Sequence, residues 1–126
     1  TKSDKAAKAV VCGMDHALVG LGDNWRNYTL WLQAMQPFWS KDFIYTPAYG
    51  INESVGLKDW FHGENLEWFH AFPRGIFNQM LFLGDEANAS SMTYSIGVWE
   101  AHLGLLQPTH QRTNIRITDF YHVVNG

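Results

Sequence analysis

The sequence predicts an α+β domain in which N-terminal helices cover one face of a curved antiparallel sheet. Two observations favour this class. In the first half of the chain, apolar side chains recur every three or four residues, as in amphipathic helices, whereas runs of alternating apolar and polar residues follow in the second half. This segregation of helices from strands is typical of α+β folds rather than of a parallel α/β sheet. A curved sheet covered in this way forms a cone, and its open end is a natural pocket.

Size and charge narrow the classes of function. The chain has 126 residues, of which 46% are hydrophobic and 17% charged, so we expect residues 1–126 to form one domain with a real core. Nine basic and twelve acidic side chains argue against a sequence-independent nucleic-acid binder. The apolar runs are too short to span a membrane and no secretion signal opens the chain, which favours a cytoplasmic protein. The single cysteine, Cys12, excludes an intramolecular disulfide framework and the usual structural zinc sites.

Two helices are predicted near the N-terminus. The first begins at Ser3 or Asp4, which are suitable N-caps, and ends near Leu21. The second begins at Asp23 or Asn24. Its large apolar side chains form one stripe, which is usually core; in a cone-shaped fold, part of it would line the pocket and stack on a flat ligand. The stripe consists of Trp25, Tyr28, Leu32, Met35 and Trp39.

A short strand and a third helix are predicted next, over residues 42–46 and 57–71. The third helix carries Glu67 and His70 at the i, i+3 spacing of one half of a di-iron carboxylate site, but the sequence offers no second half. We therefore predict no metal site and interpret Glu64 and Glu67 as a solvated helix face.

The second half of the chain predicts three long strands, over residues 76–83, 88–99 and 112–124, with a turn at Gly84-Asp85-Glu86. Asn125-Gly126 is the strongest short hairpin signal in the chain. A hairpin turn needs a following strand, so we expect either that residues 1–126 lack the final strand of the domain or that the native chain continues into that strand after Gly126.

Asp119 is the most informative candidate for chemistry. Residues of the same parity point to one face of a strand, and the neighbours of Asp119 on that face are apolar or aromatic. Burial would raise the pKa of this carboxyl group, as general acid/base catalysis requires. Alternatively, Asp119 accepts hydrogen bonds from a helix N-terminus or from a Trp or Tyr side chain and does no chemistry. The neighbours are Ile115, Ile117, Tyr121 and Val123.

Several weak motifs occur together in the middle and later parts of the chain. The first set is Pro37–Pro47, Gly50-Ile51, Gly56–Trp60 and Phe69–Pro73; the second is Gly104-Leu105, Pro108-Thr109, Arg112, Arg116–His122 and Asn125-Gly126. In order and spacing, they resemble the SnoaL-like polyketide cyclase (ester cyclase) branch of the NTF2-like superfamily. The resemblance covers most of the chain from about Met35.

The resemblance implies a cone-shaped α+β barrel, commonly dimeric, with a cavity for a small hydrophobic molecule. Cyclase members close a ring by an intramolecular aldol reaction and use acid/base residues without a metal or an organic cofactor. Asp119 matches a position on the penultimate strand that faces the cavity. The family continues after Asn125-Gly126 into a strand with an Asp used as the principal acid/base, which this sequence lacks. His110 stands where glycine is usual.

Two functions follow from these observations. The first is an acid/base enzyme, of cyclase or isomerase type, acting on a small hydrophobic or aromatic carbonyl compound. Asp119 would be the base or orienting group, and Tyr28, Tyr45, His62 or Trp25 the hydrogen-bond donor. The second is a non-catalytic ligand-binding or dimerisation module; an interface domain of a larger protein is a weaker possibility. We expect a homodimer, no cofactor, and no nucleic-acid or membrane partner. The predicted ligand-binding residues are Trp25, Tyr28, Tyr45, Trp60, His62 and Tyr94.

Overall fold

The computed structural model describes residues 2–47, 50–85 and 87–124. It is an α+β structure whose N-terminal helices pack on a three-stranded antiparallel sheet, as predicted. In the described residues, no helix has the length and apolar character needed to cross a membrane. The hairpin signal at Asn125-Gly126 and residue Glu86 of the predicted turn lie outside the described residues.

The described N-terminal region contains three separate helices where the sequence pattern predicts two. Helix α1 spans Lys2–Val19, a 3₁₀ helix spans Gly22–Arg26 and α2 spans Tyr28–Met35. The N-cap of α2 is Asn27, whose side chain accepts a hydrogen bond from the Leu30 N–H at 3.2 Å. The predicted start of this helix at Asp23 or Asn24 is therefore wrong, because those residues belong to the separate 3₁₀ turn.

The predicted third helix is three consecutive segments: α3 (Gly56–Trp60), a π-helical turn (Phe61–Asn65) and α4 (Leu66–Ala71). Before it, strand β1 is only Ile44–Tyr45 and pairs with a second short strand, β2 (Ser54–Val55). No local pattern predicts β2, because a two-residue strand carries no alternation to detect.

The main sheet has the order β3–β4–β5, with β3 at Ile76–Asp85, β4 at Asn88–Val98 and β5 at Arg112–His122. Strand β3 contains a bulge, because Gln79 pairs with Thr93 and Leu81 with Met92, which leaves Met80 without a partner. The inner face packs against the helices. Its central positions are Gln79, Phe82, Ser91, Thr93, Ile117, Asp119 and Tyr121.

The core lies between α1, α2 and the π-helical turn on one side and the inner face of the sheet on the other. Its buried side chains include Val11, Met14, Trp31, Met35 and Phe61. A second, smaller cluster joins the end of α4 to the loop after β4 and contains Phe72, Trp99 and Leu103. The space between the helices and the inner face of the sheet is only partly filled, and it forms the cavity described next.

Two glycines that belong to separate resemblance motifs meet in this structure. Gly50 and Gly104 have positive φ angles of 92° and 56°. A Cβ atom added at Gly104 would lie 2.8 Å from the carbonyl carbon and oxygen of Gly50. The Gly104 N–H also donates to the Glu67 carboxylate at 2.7 Å. Glu67 is therefore half-buried and holds the loop after β4 against the helices, which corrects its assignment to a solvated face.

Candidate functional site

A cavity of about 370 Å³ lies between the helices and the inner face of the sheet. Its wall is dominated by aromatic rings and includes three carboxyl side chains, Asp15, Glu64 and Asp119. The volume is within the range of small-molecule sites, which are mostly apolar with a few polar groups. The aromatic residues of the wall are Trp25, Trp31, Trp39, Tyr45, Trp60, Trp68, Phe69, Phe77 and Tyr121.

Asp119 projects from β5 into this cavity. It lies opposite Ser91 in the sheet, next to Ile117 and Tyr121 on the same face. Burial, with a further contribution from the negative charge of Glu64, raises the pKa of the Asp119 carboxyl group to about 6. No described side chain donates a hydrogen bond to it. The Asp119 carboxyl group therefore changes protonation state close to neutral pH and is open to a ligand.

Glu64 is the buried carboxylate on the opposite wall, with 8% of its surface exposed. Its Oε1 accepts hydrogen bonds from the Tyr45 hydroxyl at 2.8 Å and the Trp68 indole N–H at 3.3 Å. Its Oε2 accepts from the Trp60 indole N–H at 2.7 Å. Burial raises the pKa of Glu64, whereas these three donors stabilise its anion and oppose the rise.

Glu64 points inward because it lies on the apolar face of its helix. It follows Phe61 by three residues and precedes Trp68 by four, and both spacings put side chains on one face of a helix. Phe61 and Glu64 are both buried in the π-helical turn, while the neighbouring His62 and Gly63 are exposed. The interpretation of Glu64 as solvated is therefore wrong.

Two tyrosine hydroxyls accompany the carboxylates. Burial raises the pKa of Tyr45 far above its ordinary value, and the charge and hydrogen bond of Glu64 raise it further. Burial and the charge of Asp119 likewise raise the pKa of Tyr121, whose hydroxyl lies 3.2 Å from the Ser91 Oγ. Both hydroxyls remain protonated in the physiological range, so both can act only as neutral hydrogen-bonding groups.

The structure brings four of the predicted site residues together and leaves three outside. Asp119, Trp25, Tyr45 and Trp60 line the cavity, with Tyr45 and Trp60 stacked at 5.1 Å between ring centroids. The other three, Tyr28, His62 and Tyr94, are not part of its wall.

The three predicted residues outside the cavity wall lie at two other places in the structure. Tyr28 packs against Phe61 and against the exposed His62, whose Nδ1 lies 2.8 Å from the Lys58 carbonyl oxygen. Tyr94 is on the outer face of the sheet, opposite Asn78 and Arg116. The alternation in β4 separates Tyr94 from Ser91, Thr93 and Ser95, but it is the polar set that faces inward in this structure, so alternation alone does not exclude Tyr94 from the cavity.

No protein-family model matches the chain, and no curated protein sequence matches it significantly. Among solved structures, it is similar to a candidate SnoaL-like polyketide cyclase from Jannaschia sp. CCS1, with a TM-score of 0.70 and 14% sequence identity over 100% of this chain and 82% of that chain. The chain has a SnoaL-like fold.

Two further structures share the SnoaL-like fold. AclR, a candidate hydroxylase from Streptomyces galilaeus, has a TM-score of 0.63 and 19% identity over 98% of this chain and 84% of that chain. A candidate polyketide cyclase from Silicibacter sp. TM1040 has a TM-score of 0.54 and 17% identity over 90% of this chain and 82% of that chain. The names of these three proteins differ in the reaction they suggest, so the SnoaL-like fold does not by itself decide between reactions.

The backbone at His110 accounts for the glycine that is usual at this position in the family that the sequence resembles. His110 has a φ angle of 55°, the left-handed conformation that glycine adopts without strain. Its backbone N–H donates to the Trp99 carbonyl at 2.9 Å, so the loop holds it there. Glycine, the usual residue at this position in the family that the sequence resembles, suits this backbone better than histidine does.

Proposed function

We propose that the protein binds a small hydrophobic aromatic carbonyl compound in the cavity and catalyses its enolisation, as a cyclase or isomerase does, without a cofactor. The observation that carries this proposal is Asp119, an unpaired carboxyl group with a pKa of about 6 in a largely aromatic cavity. Two of the similar solved structures described above are named candidate polyketide cyclases, which supports the same class of reaction.

In the proposed reaction, the Asp119 carboxylate removes a proton from the carbon next to a ligand carbonyl group. The C–H bond breaks, its electron pair forms the enolate, and Asp119 holds the proton. In a cyclase, the enolate carbon then attacks a second carbonyl carbon of the same molecule, and the proton passes from Asp119 to the resulting alkoxide. A carboxyl group with a pKa near neutrality can act as base and then as acid in this sequence.

The enolate oxygen needs a hydrogen-bond donor, and Tyr121 is the best placed of the hydroxyl groups. It lies two residues from Asp119 on the same face of β5. The Ser91 hydroxyl can donate to the Tyr121 oxygen, which leaves the Tyr121 proton free for a ligand. In contrast, the Tyr45 hydroxyl is already donated to Glu64.

Deuterium exchange at an aromatic ketone tests this proposal. We expect the protein to accelerate exchange of the α-protons of 2-tetralone in D₂O, measured by NMR, with a rate that rises around pH 6. Asp119→Asn should reduce the acceleration by at least about a hundredfold. Asp59→Asn, which changes an exposed carboxylate outside the cavity, is the matched control. Retention of the acceleration in Asp119→Asn would contradict the proposal.

A non-catalytic ligand-binding module is the second candidate function. It is favoured by the commitment of three polar groups, Tyr45, Trp60 and Trp68, to Glu64, because groups bonded to one another are not available to a reacting ligand. In this case 2-tetralone should quench the tryptophan fluorescence of the cavity, while its α-protons exchange no faster than in buffer.

We further propose that two copies associate through the outer face of the main sheet. This face carries large exposed apolar side chains, among them Phe120 with 84% and Ile76 with 64% of its surface exposed. A second copy would present the same apolar residues in a self-complementary arrangement, as a two-fold interface requires. The dimeric state implied by the family resemblance supports this choice of partner.

A further inference from the structure

Among the described residues, the charged side chains that line the cavity are all acidic. Three carboxyl groups line it, whereas within the part of the chain that the structure describes no Lys, Arg or His side chain does so. Asp15 comes from α1, Glu64 from the π-helical turn and Asp119 from β5, so the negative groups surround the space from three elements. Charges in a water-poor cavity act over longer distances than charges on a surface, so the interior favours a cation.

The groups that satisfy these carboxylates are uncharged. Glu64 is stabilised by one hydroxyl and two indole N–H groups, which remove no net charge. Among the described residues, the salt bridge that the structure contains joins Arg74 to Glu100 and lies away from the cavity. Glu64 and Asp119 are therefore left without a countercharge from these residues, whereas burial raises the pKa of Asp15 and the charge of His16 opposes that rise.

The wall is also built from the rings that bind cations best. Five indole side chains line the cavity, and the face of an indole ring is the strongest aromatic partner for a cation. The protein already uses two of its rings in this way: the Arg26 guanidinium carbon lies 5.2 Å from the Trp25 ring centroid and 5.7 Å from that of Phe69. Arg26 itself does not line the cavity, and its Nη2 donates to the Phe72 carbonyl at 3.2 Å.

The positive groups close to this wall do not balance it. Arg26 lies behind Trp25 and Phe69, and His16 of α1 neighbours Asp15. The groups that face Asp119 are instead Glu64 and the neutral hydroxyl of Tyr121. Asp119 is mostly ionised above pH 6, and its charge then adds to that of Glu64.

From the arrangement of three carboxyl groups and five indole rings around one cavity, we infer that the ligand carries a protonated amine or a quaternary ammonium group. The inference rests on the proposed function, because it deepens the identity of the ligand bound in the same cavity. The substrate class becomes an aromatic carbonyl compound with a basic amine, and aromatic carboxylates are excluded.

Three probes of similar size test the inference: phenyltrimethylammonium as the cation, tert-butylbenzene as its neutral isostere and benzoate as the anion. Binding is measured at pH 8 and low salt by tryptophan fluorescence and calorimetry. We expect the cation to bind at least about tenfold more tightly than the neutral probe, and benzoate not to bind. Equal affinity of the cation and the neutral probe, or tight binding of benzoate, would overturn the inference and leave aromatic-ligand binding intact.

Charge variants separate the carboxylates from general packing. Glu64→Gln and Asp119→Asn should each weaken binding of phenyltrimethylammonium by about three- to tenfold and leave that of tert-butylbenzene unchanged. Asp59→Asn should change neither. If Glu64→Gln does not fold, as judged by circular dichroism, Asp119→Asn alone decides the result. Unchanged cation affinity in Asp119→Asn would overturn the inference.

Failure of the inference and failure of the proposed function give different results. If no probe binds, the cavity is not a ligand site and both are overturned. If the cation binds selectively but 2-tetralone exchange is not accelerated, enolisation of this ketone is overturned and the ligand class stands.

Discussion

At the scale of single residues, the site combines one carboxylate that is saturated with hydrogen bonds and one that is not. Glu64 accepts three hydrogen bonds, whereas no described side chain donates one to Asp119, whose pKa is raised by burial and by the charge of Glu64. The sequence alone predicted Asp119 from its parity in β5. The interpretation of Glu64 as solvated rests on the usual exposure of glutamate, although the spacing of Glu64 from Phe61 and Trp68 puts it on the apolar face of the helix.

The raised pKa of Asp119 predicts a pH-dependent stability cost. The folded state holds this proton up to about pH 6, while the unfolded chain releases it near its ordinary value of 3.8. The folded state therefore loses stability as the pH rises through this interval. Asp119→Asn should be more stable than the wild type at pH 8, by on the order of 2 kcal/mol, with little difference at pH 4.

Urea denaturation at the two pH values measures this effect. Asp59→Asn provides the control, because its carboxylate is exposed and should change stability by only a few tenths of a kcal/mol. A stabilisation by Asp119→Asn that is the same at pH 4 and pH 8 would show that ionisation of Asp119 is not the cause.

A second residue-scale prediction concerns His110. Its left-handed backbone conformation costs on the order of 1 kcal/mol for a residue with a Cβ atom, and glycine avoids this cost. His110→Gly should therefore raise the free energy of unfolding by up to about 1 kcal/mol, measured by urea denaturation. The corresponding change at the exposed His102, which has no positive φ angle, should be neutral or destabilising. Destabilisation by His110→Gly would contradict the assignment of strain.

At the scale of elements, hydrophobic periodicity predicted the long strands and the first helix. It did not predict the start of α2 or the pairing of the two short strands. The three long strands and helix α1 were expected at nearly their observed bounds. The start of α2 was not, since Asp23, Asn24 and Asn27 are all good N-cap residues and the sequence does not rank them. The pairing of β1 with β2 depends on contacts between distant residues, which no local pattern reports.

The position of the α2 cap gives an element-scale prediction. Asn27→Ala removes the side-chain oxygen that accepts the Leu30 N–H and should cost about 1 kcal/mol of stability. Asn24→Ala lies in the 3₁₀ turn and should cost a few tenths of a kcal/mol at most. Thermal unfolding of both variants measures the difference. An equal or larger loss in Asn24→Ala would place the helix start where the sequence analysis expected it.

At the scale of the whole molecule, one face of the sheet is used for the cavity and the other is left apolar and exposed. The proposed dimer would cover the second face, and β5 is also an edge strand among the described residues, so both features suit contact between chains. Alternation predicted which residues of a strand share a face, but in β4 it is the polar set that faces inward, contrary to the prediction for Tyr94. Composition and alternation did not predict the volume between the layers, which depends on how far the helices sit from the sheet.

The dimer predicts the behaviour of a surface variant. Phe120→Lys should convert a dimer into a monomer in sedimentation equilibrium, because it replaces the most exposed large apolar side chain of the proposed interface with a charge. Ile44→Lys alters an equally apolar but separate exposed position on β1 and should leave the mass unchanged. A wild-type protein that is monomeric at micromolar concentrations would contradict the proposed interface.

Because of the bulge at Met80, the number of residues in β3 affects the shape of the strand that lines the cavity. Met80 is the additional residue in β3 that separates the inward-facing Gln79 from the inward-facing Phe82 by three positions instead of two. Loss of one codon here would restore regular alternation without turning either side chain outward, while straightening the strand beneath the ligand space. A single insertion or deletion at this point would therefore change the shape of the cavity wall while Gln79 and Phe82 keep their inward orientation.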